Sequence, residues 1–303
     1  MKLGTADVNG QYEVVVRTAA GSAHLATDLV GLPTLSLLDL VADPLLTQKL
    51  EEAVERRSGE TRILPEPVMW VAPIPQPLRN IFCVGWNYMP HYEEGHRLRD
   101  YVVPEIPLHP ALFTKAPSTV VGEGPTVIHP APYSDELDWE GELAVVIGKS
   151  GINIPEDTAL DHIFGYTIAN DISVRDFQKR HGNQWFKGKS FDTHCPMGPV
   201  IVTASDIVDP QNLELTVTVN GEVKQHASTS TMIFTIARLI HEISVGMRLE
   251  PGDIILSGTP AGVGATEVPP RFLKSGDIVE VDIPPIGTLT SAVVSGPVVA
   301  ETR

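Results

Sequence analysis

Basic residues and cysteines are scarce in this chain of 303 residues. It has 22 lysines and arginines against 38 aspartates and glutamates, a formal net charge of −16. Because no basic cluster offsets this excess, neither nucleic acid nor an anionic membrane is expected as a partner. The two cysteines, Cys83 and Cys195, lie far apart and outside any C-x-x-C motif. We therefore expect reduced, buried thiols.

Long apolar runs are also missing. No stretch is long enough to span a bilayer, and the N-terminus lacks the basic-then-apolar pattern of a signal peptide. These two absences predict a cytoplasmic protein that does not act in a membrane. The hydrophobic content of 42% is nevertheless sufficient for one large core or two modest ones.

The first 75 residues are predicted to form a small N-terminal α+β domain. Residues 12–16 favour a strand, and Thr34 is a candidate cap for a short helix over 36–42. Pro44 then opens a second helix that ends near Arg57. A proline-rich connector follows and places the domain boundary near residue 75. Its prolines are Pro65, Pro67, Pro73, Pro75 and Pro77.

Residues 76–303 are predicted to be a second, mostly β domain. The alternating run 215–219 leads into Asn220-Gly221, a pair typical of a tight hairpin turn. Apolar residues at helical spacing between 232 and 243 predict an amphipathic helix, with Thr229 or Ser230 as its cap. Short strands with few helices favour a sandwich or a rolled barrel over a βαβ sheet.

The segment 138–148 joins paired carboxylates to an apolar strand. Glu140 and Glu142 are two residues apart, so on a strand their side chains share one face. Like charges beside an apolar run suit a hard divalent cation; the alternative is a solvated sheet edge. Asp171 lies at a predicted strand-to-helix junction, where it could be a third metal ligand or could cap the helix. Residues 173–176 form a second candidate cap for the same helix, a capping box.

A second group of candidate residues is His91 and Glu94. Three positions apart, they share a face if the segment is helical, and a carboxylate beside an imidazole favours a general base. The alternative is an exposed pair on a polar loop. Asp135 and Asp138, near the first carboxylates, are expected to orient the site or to face water.

Taken in order, these segments resemble the fumarylacetoacetate hydrolase family over about residues 76–295. Each motif is weak alone, but the ordered set is specific. The matching segments are Val84 to Tyr88 with His91 and Glu94, Asp138 to Glu142, Asn170-Asp171, Gly188 to Asp192, Cys195 to Pro199, Met232 to Phe234, Leu249 to Asp253 and Ser257 to Gly264.

The resemblance implies a homodimeric β-roll with Mg²⁺ or Mn²⁺ held by Glu140, Glu142 and Asp171. It also assigns roles to six further residues. His91 and Glu94 correspond to a dyad of the acylpyruvate-cleaving branch, Lys189 to a lysine that holds substrate and stabilises an oxyanion, and Thr259, Tyr88 and Lys115 to substrate-binding positions.

Two departures from the family pattern concern the surroundings of the site. Gly141 lies between two metal-ligand positions where a bulkier residue is common, which predicts space or flexibility there. The segment 94–112, with Arg97, Arg99 and Tyr101, matches no familiar member and is interpreted as part of a lid.

The function predicted from the resemblance is metal-dependent C–C hydrolysis of a 2,4-diketo acid, a small anionic substrate, to pyruvate and a carboxylic acid. The same enolate-stabilising site suits decarboxylation of oxaloacetate, isomerisation of a hydroxymuconate, or hydrolysis or dehydration of a 2-keto-3-deoxy sugar acid. Two further hypotheses are a metal-binding dimer module without turnover, and a regulatory N-terminal domain on an active core.

Overall fold

The computed structural model describes residues 1–57, 59, 61–97 and 106–296. Strands dominate this part of the chain, in agreement with the α+β, mostly β class predicted from the sequence. The strands are β1 (Lys2–Val8), β2 (Gln11–Arg17), β3 (Ala23–Leu25), β4 (Trp70–Val71), β5 (Ile81–Gly85), β6 (Ala111–Lys115), β7 (Val120–Val121), β8 (Gly124–His129), β9 (Leu137–Asp138), β10 (Gly141–Ile147), β11 (Ile163–Asn170), β12 (Ser173–Val174), β13 (Cys195–Thr203), β14 (Glu214–Val219), β15 (Glu222–Ser228), β16 (Ile254–Leu256), β17 (Ile278–Ile283) and β18 (Gly287–Ser295). The α-helices are α1 (Ala26–Val30), α2 (Leu37–Ala42), α3 (Pro44–Arg57), α4 (Met89–Arg97), α5 (Arg175–Arg180), α6 (Phe186–Lys189) and α7 (Ile236–Ser244).

Two large sheets form the body of the molecule. The larger has the strand order β3-β2-β1-β13-β11-β10-β16-β5-β6, with β4 beside β1 and β7 beside β13. The smaller has the order β15-β14-β17-β18-β8. The main ladder begins at β3 and ends at β6, so among the described residues the strands form an open roll and not a closed barrel.

Strand β10 lies at the centre of the larger sheet and is buried on both faces. Leu143 and Val145 share a core with Val217 and Val281 of the smaller sheet. Ala144 and Val146, which alternate with them along the strand, face a second core, formed with the N-terminal helices. Burial on both faces explains why this strand is an unbroken apolar run and does not alternate with polar residues.

The hairpin predicted at Asn220-Gly221 is confirmed. Strands β14 and β15 pair antiparallel on either side of these two residues. Asn220 has φ 53° and Gly221 has φ 77°, the left-handed conformation that a two-residue hairpin turn requires at both positions. The hairpin brings β15 over the end of β10, where the paired carboxylates lie.

The first 57 residues extend the larger sheet and cover one of its faces. Leu3 of β1 pairs in register with Ile201 of β13, and both are in the core under the N-terminal helices. Helix α2 is capped by Ser36, whose hydroxyl accepts from the Asp39 N–H at 3.2 Å. The predicted cap, Thr34, was therefore wrong by two positions. Independent folding of residues 1–75 stays a prediction.

Replacing Leu3 by alanine is expected to destabilise the protein by about 2–5 kcal/mol, because a fully buried side chain would leave a cavity at the junction of β1 and β13. Denaturant unfolding would measure the change. Leu45→Ala is the control, since Leu45 is 76% exposed and its loss should cost about 0.5 kcal/mol or less. Equal, small effects would show that β1 contributes little to the shared core.

Two helix boundaries differ from those predicted. Helix α7 begins at Ile236 and is capped by Thr235, so the predicted caps Thr229 and Ser230 lie in a preceding 3₁₀ turn. The apolar spacing continued past the cap because the residues before it are also core residues. Helix α5 has no side-chain cap; the Ser173 hydroxyl instead donates to the Asp171 carbonyl at 3.0 Å, so the predicted capping box was wrong.

Candidate active site

Three carboxylates converge where β10 and β11 run side by side. Glu140 precedes β10, Glu142 lies on it, and Asp171 follows β11. The antiparallel register pairs Gly141 with Asn170, and the Asp171 N–H donates to the Glu140 carbonyl at 2.8 Å. One ligand oxygen from each carboxylate lies within 4.8 Å of the others, and all three side chains are buried. Burial rules out the solvated sheet edge considered from the sequence.

Two lysines and an arginine surround this acidic triad, defined as Glu140, Glu142 and Asp171. Lys189 Nζ lies 2.6 Å from both Glu140 Oε2 and Asp171 Oδ2, and Lys115 Nζ lies 2.7 Å from Asp171 Oδ1. Burial disfavours ionisation of Glu140, but Lys189 and Arg175 outweigh it and lower its pKa to about 2. The ionised state of this carboxylate is therefore stabilised by its neighbours.

Glu142 differs from Glu140 in its electrostatic environment. Burial, followed by the charges of Asp171 and Glu140, raises its pKa well above the ordinary range. Its Oε2 accepts from the Gly258 N–H at 2.6 Å, and no cationic side chain pairs with it among the described residues. Three convergent buried carboxylates, one of them lacking a counter-ion, fit a hard divalent cation such as Mg²⁺ or Mn²⁺.

Asp138 anchors the turn before the triad. Its buried carboxylate accepts from the Gly264 N–H at 2.7 Å and the Ala265 N–H at 3.0 Å, and it forms a 2.7 Å ion pair with Arg175. Arg175 also reaches Glu140 Oε1 at 2.6 Å. Asp138 thus orients the site, the first of the two roles considered from the sequence. The role of Arg175 was not predicted, because its partners lie more than thirty positions away.

Gly141 provides no free space near the carboxylates, contrary to the prediction. A Cβ atom at this position would lie 2.3 Å from Val217 Cγ2 and 3.0 Å from Val281 Cγ1. The glycine is needed because the smaller sheet closes directly onto this turn. Gln225 of β15 also joins the smaller sheet to this turn. Its Oε1 accepts from the Gly141 N–H at 3.0 Å, and its Nε2 donates to Thr259 Oγ1 at 2.8 Å.

His91 and Glu94 share one face of helix α4, as predicted. His91 Nδ1 lies 2.9 Å from Glu94 Oε1, and the His91 side chain is buried. Glu94 also accepts from the Gly262 N–H at 3.2 Å, which ties α4 to the loop after β16. The pair is therefore fixed in place and is not on an exposed loop. The second ring nitrogen, Nε2, has no hydrogen-bond partner among the described residues, and His91 lines the cavity described next.

A cavity of about 310 Å³ brings the predicted groups together. His91, Glu140, Lys189 and Thr259 all line it. The Thr259 hydroxyl donates to the Gly141 carbonyl at 3.0 Å, so its proton must be redirected if it is to bind a substrate carboxylate. One cavity therefore contains a base, an acidic ligand and hydrogen-bond donors.

Tyr88 and Lys115, the other predicted substrate contacts, do not line this cavity. Both are fully buried. Lys115 lies behind Asp171, and the Tyr88 hydroxyl has no hydrogen-bond partner among the described residues. Burial, and then the charge of Glu142, raises the pKa of Tyr88, so its hydroxyl stays protonated. Their substrate contacts stay predictions.

Aromatic side chains form one wall of the cavity. Trp185 packs edge-to-face against Trp86, with ring centroids 4.8 Å apart, and against Phe113 at 5.2 Å. A Cβ atom on Gly85 would lie 2.4 Å from the Trp185 ring, so this glycine permits the close approach. Of the predicted lid residues, Arg99 and Tyr101 lie outside the described residues, as does the side chain of Arg97.

This arrangement, a two-sheet β fold with buried carboxylates, a histidine–glutamate dyad and a lysine around one cavity, is that of an enzyme active site suited to a divalent cation. Residues 80–294 match the family model described as fumarylacetoacetate (FAA) hydrolase C-terminal. The chain belongs to the fumarylacetoacetate hydrolase family, as the resemblance indicated.

Two similar proteins are both named oxaloacetate tautomerases. The oxaloacetate tautomerase YisK of Bacillus subtilis is 53% identical over 222 residues, which cover 73% of this chain and 72% of that protein. A mitochondrial oxaloacetate tautomerase of Homo sapiens is 42% identical over 273 residues, which cover 87% of this chain and 84% of that protein.

Solved structures of the family superpose over almost the whole chain. A fumarylacetoacetate hydrolase from Exiguobacterium antarcticum has a TM-score of 0.82 at 37% identity, with coverage of 98% of this chain and 100% of that one. A maleylpyruvate hydrolase from Sphingobium sp. SYK-6, in complex with manganese(II) and pyruvate, has a TM-score of 0.78 at 28% identity and the same coverage. Separately, none of the helices in the described ranges is long and apolar enough to cross a membrane.

Proposed function

We propose that this protein catalyses the keto–enol interconversion of oxaloacetate or a closely related 2-oxo acid, with Mg²⁺ or Mn²⁺ held by Glu140, Glu142 and Asp171. The observation that carries the proposal is the shared cavity of His91, Glu140 and Lys189. Tautomerisation needs a base that accepts a carbon-bound proton and positive charge that stabilises the enolate. His91 is the base, Glu140 is a ligand for the cation, and Lys189 supplies an ammonium group.

The proposed reaction transfers one proton within the substrate. His91, oriented by Glu94, accepts a proton from the carbon between the two carbonyl groups through Nε2, and the C–H bond breaks. The same imidazolium then donates its proton to the oxygen that has become an enolate, and an O–H bond forms. Lys189, which lines the cavity, hydrogen-bonds to that oxygen as charge develops. A bound divalent cation would supply Lewis-acid stabilisation of the enolate.

Oxaloacetate is preferred because the curated relatives at 53% and 42% identity are named oxaloacetate tautomerases. Their names favour the oxaloacetate alternative over the C–C hydrolysis predicted first from the sequence. Proton transfer also uses the dyad without requiring a positioned water. Tautomerisation forms the enolate of oxaloacetate and decarboxylation forms the enolate of pyruvate, but both place negative charge on the same keto oxygen, so the products must be measured separately.

C–C hydrolysis of acylpyruvates is the second candidate function. It is favoured by the maleylpyruvate hydrolase whose structure superposes at 28% identity with manganese and pyruvate bound. His91 held by Glu94 could activate water in the same position from which it would accept a carbon-bound proton. A small anionic keto acid is the substrate in either case, and a homodimer stays a prediction from the family resemblance.

The test starts from enol-oxaloacetate with Mg²⁺. Loss of enol absorbance is expected to exceed the uncatalysed rate, without release of pyruvate or CO₂. Added malate dehydrogenase and NADH would reduce the keto form and so report its appearance. Excess EDTA should abolish the acceleration. Stoichiometric pyruvate and CO₂ from oxaloacetate would indicate decarboxylation instead, and pyruvate from acetylpyruvate would indicate hydrolysis. Absence of acceleration in protein shown to contain Mg²⁺ would contradict the proposal.

A further inference from the structure

The cations that line the cavity differ in whether they have partners. Lys189 is paired with Glu140 and Asp171, and Arg175 is paired with Asp138 and Glu140. Lys179 lines the same cavity, and its side chain is exposed. Within residues 1–57, 59, 61–97 and 106–296, no ion pair neutralises Lys179.

Helix α5 sets the distance between Lys179 and the acidic triad. Arg175 and Lys179 are four positions apart, so they lie on one face of the helix, about 6 Å apart along its axis. Arg175 marks the inner end because it contacts Glu140 at 2.6 Å. Lys179 therefore lies one helical turn farther from the acidic triad than Arg175 does. It faces the part of a bound substrate that is farthest from the carboxylates that would hold the metal.

Among the described residues, no lysine or arginine other than Arg175, Lys179 and Lys189 lines the cavity, and Gln178 and Asn183 offer only uncharged hydrogen-bond donors. Trp86, Phe113 and Trp185 form its aromatic wall, and Glu140 is itself an anion. A substrate carboxylate that points away from the triad would lose its hydration against the aromatic rings, whereas a charge-assisted hydrogen bond to Lys179 offsets that loss.

We propose that Lys179 binds the distal carboxylate of the substrate, so that the site selects four-carbon 2-oxo dicarboxylates over acids of the same length with an uncharged tail. This inference rests on the proposed function for its substrate class. Lys179 would determine which substrate binds, whereas His91 and Lys189 would carry out the reaction.

The test uses two non-reacting probes, L-malate and L-2-hydroxybutyrate, which share a 2-hydroxy acid end and a four-carbon chain. Only malate carries a distal carboxylate. Calorimetry with the full chain and saturating Mg²⁺ should show tighter binding of malate to the wild type. In Lys179→Met, we expect malate to bind about tenfold more weakly, about 1.4 kcal/mol, with 2-hydroxybutyrate changed less than about twofold. Added salt should weaken malate binding most in the wild type.

Two control variants separate this role from a general effect of charge. Lys187→Met removes one lysine charge from the neighbouring helix α6. Lys187 lies over the Phe191 ring at 4.8 Å and does not line the cavity, so the malate preference should persist. Lys179→Arg should also retain it. A malate preference that survives in Lys179→Met, or that Lys187→Met removes equally, would overturn the proposal. Because binding is measured without turnover, failure of the tautomerase assay would leave this test interpretable.

Discussion

Replacing His91 by asparagine is expected to lower kcat for enol-oxaloacetate by about 10²- to 10⁴-fold, the range over which a positioned acid–base group contributes. Asparagine retains a polar side chain but cannot exchange a proton near neutral pH. His91 is the group to test because it lines the cavity and its Nδ1 is held 2.9 Å from Glu94 Oε1, so that Nε2 is the atom left to act on substrate. Steady-state kinetics with saturating Mg²⁺ would measure the loss.

His109→Asn is the matched control for this variant. His109 also forms a histidine–carboxylate pair, with Nδ1 3.1 Å from Glu242 Oε1, but it is 71% exposed and does not line the cavity. We expect kcat to be unchanged in the control, and Mg²⁺ affinity to be unchanged in both variants. A folded, Mg²⁺-loaded His91→Asn protein with near-normal kcat would exclude His91 as the proton-transfer group.

Replacing Glu142 by glutamine is expected to weaken Mg²⁺ or Mn²⁺ binding by at least about 100-fold, with a parallel loss of activity at limiting metal. The substitution preserves shape but removes one of the three carboxylates, on which a hard cation depends for charge. A calorimetric titration of the full chain with Mn²⁺ would measure the affinity. Glu280→Gln is the control, because Glu280 lies on β17 outside the triad and accepts a hydrogen bond from Thr218.

The pH dependence of metal binding gives a second measure of Glu142. Burial, with the charges of Asp171 and Glu140, raises its pKa, so without metal this carboxyl retains its proton to a higher pH than an exposed glutamate does. Metal binding must release that proton, and affinity should therefore rise with pH up to the raised pKa and then level off. Stability without metal should fall over the same interval, from the ordinary glutamate pKa upward. Both trends should be absent in Glu142→Gln.

The sequence predicted those parts of the site that local spacing determines. Glu140 and Glu142 share a face because strand side chains alternate, and His91 and Glu94 share a face because they lie three apart on a helix. The order of motifs along the chain also identified the family. It did not separate hydrolysis from the oxaloacetate reactions, because one set of carboxylates, base and lysine can serve all of them.

The sequence analysis missed features of the site that depend on contacts between residues far apart in the chain. The Gly141 turn is closed by Val217, Val281 and Gln225 from the smaller sheet, which nothing in the local pattern around residue 141 reveals. Arg175 was considered only as part of a capping box, yet its guanidinium joins Asp138 to Glu140. Local propensity carries no information about such partners.

The apolar run of β10, the carboxylates beside it and the hairpin at Asn220-Gly221 were thus determined by the sequence alone, since each depends on backbone geometry over a few residues. The tertiary structure decided which charges neutralise one another. Lys189 and Arg175 pair with the buried carboxylates, while Lys179, at the outer end of the cavity, forms no ion pair with any residue that the structure describes. Both facts depend on how β10, β11 and α5 pack. Electrostatic energy depends on distance and burial, which the chain acquires only on folding.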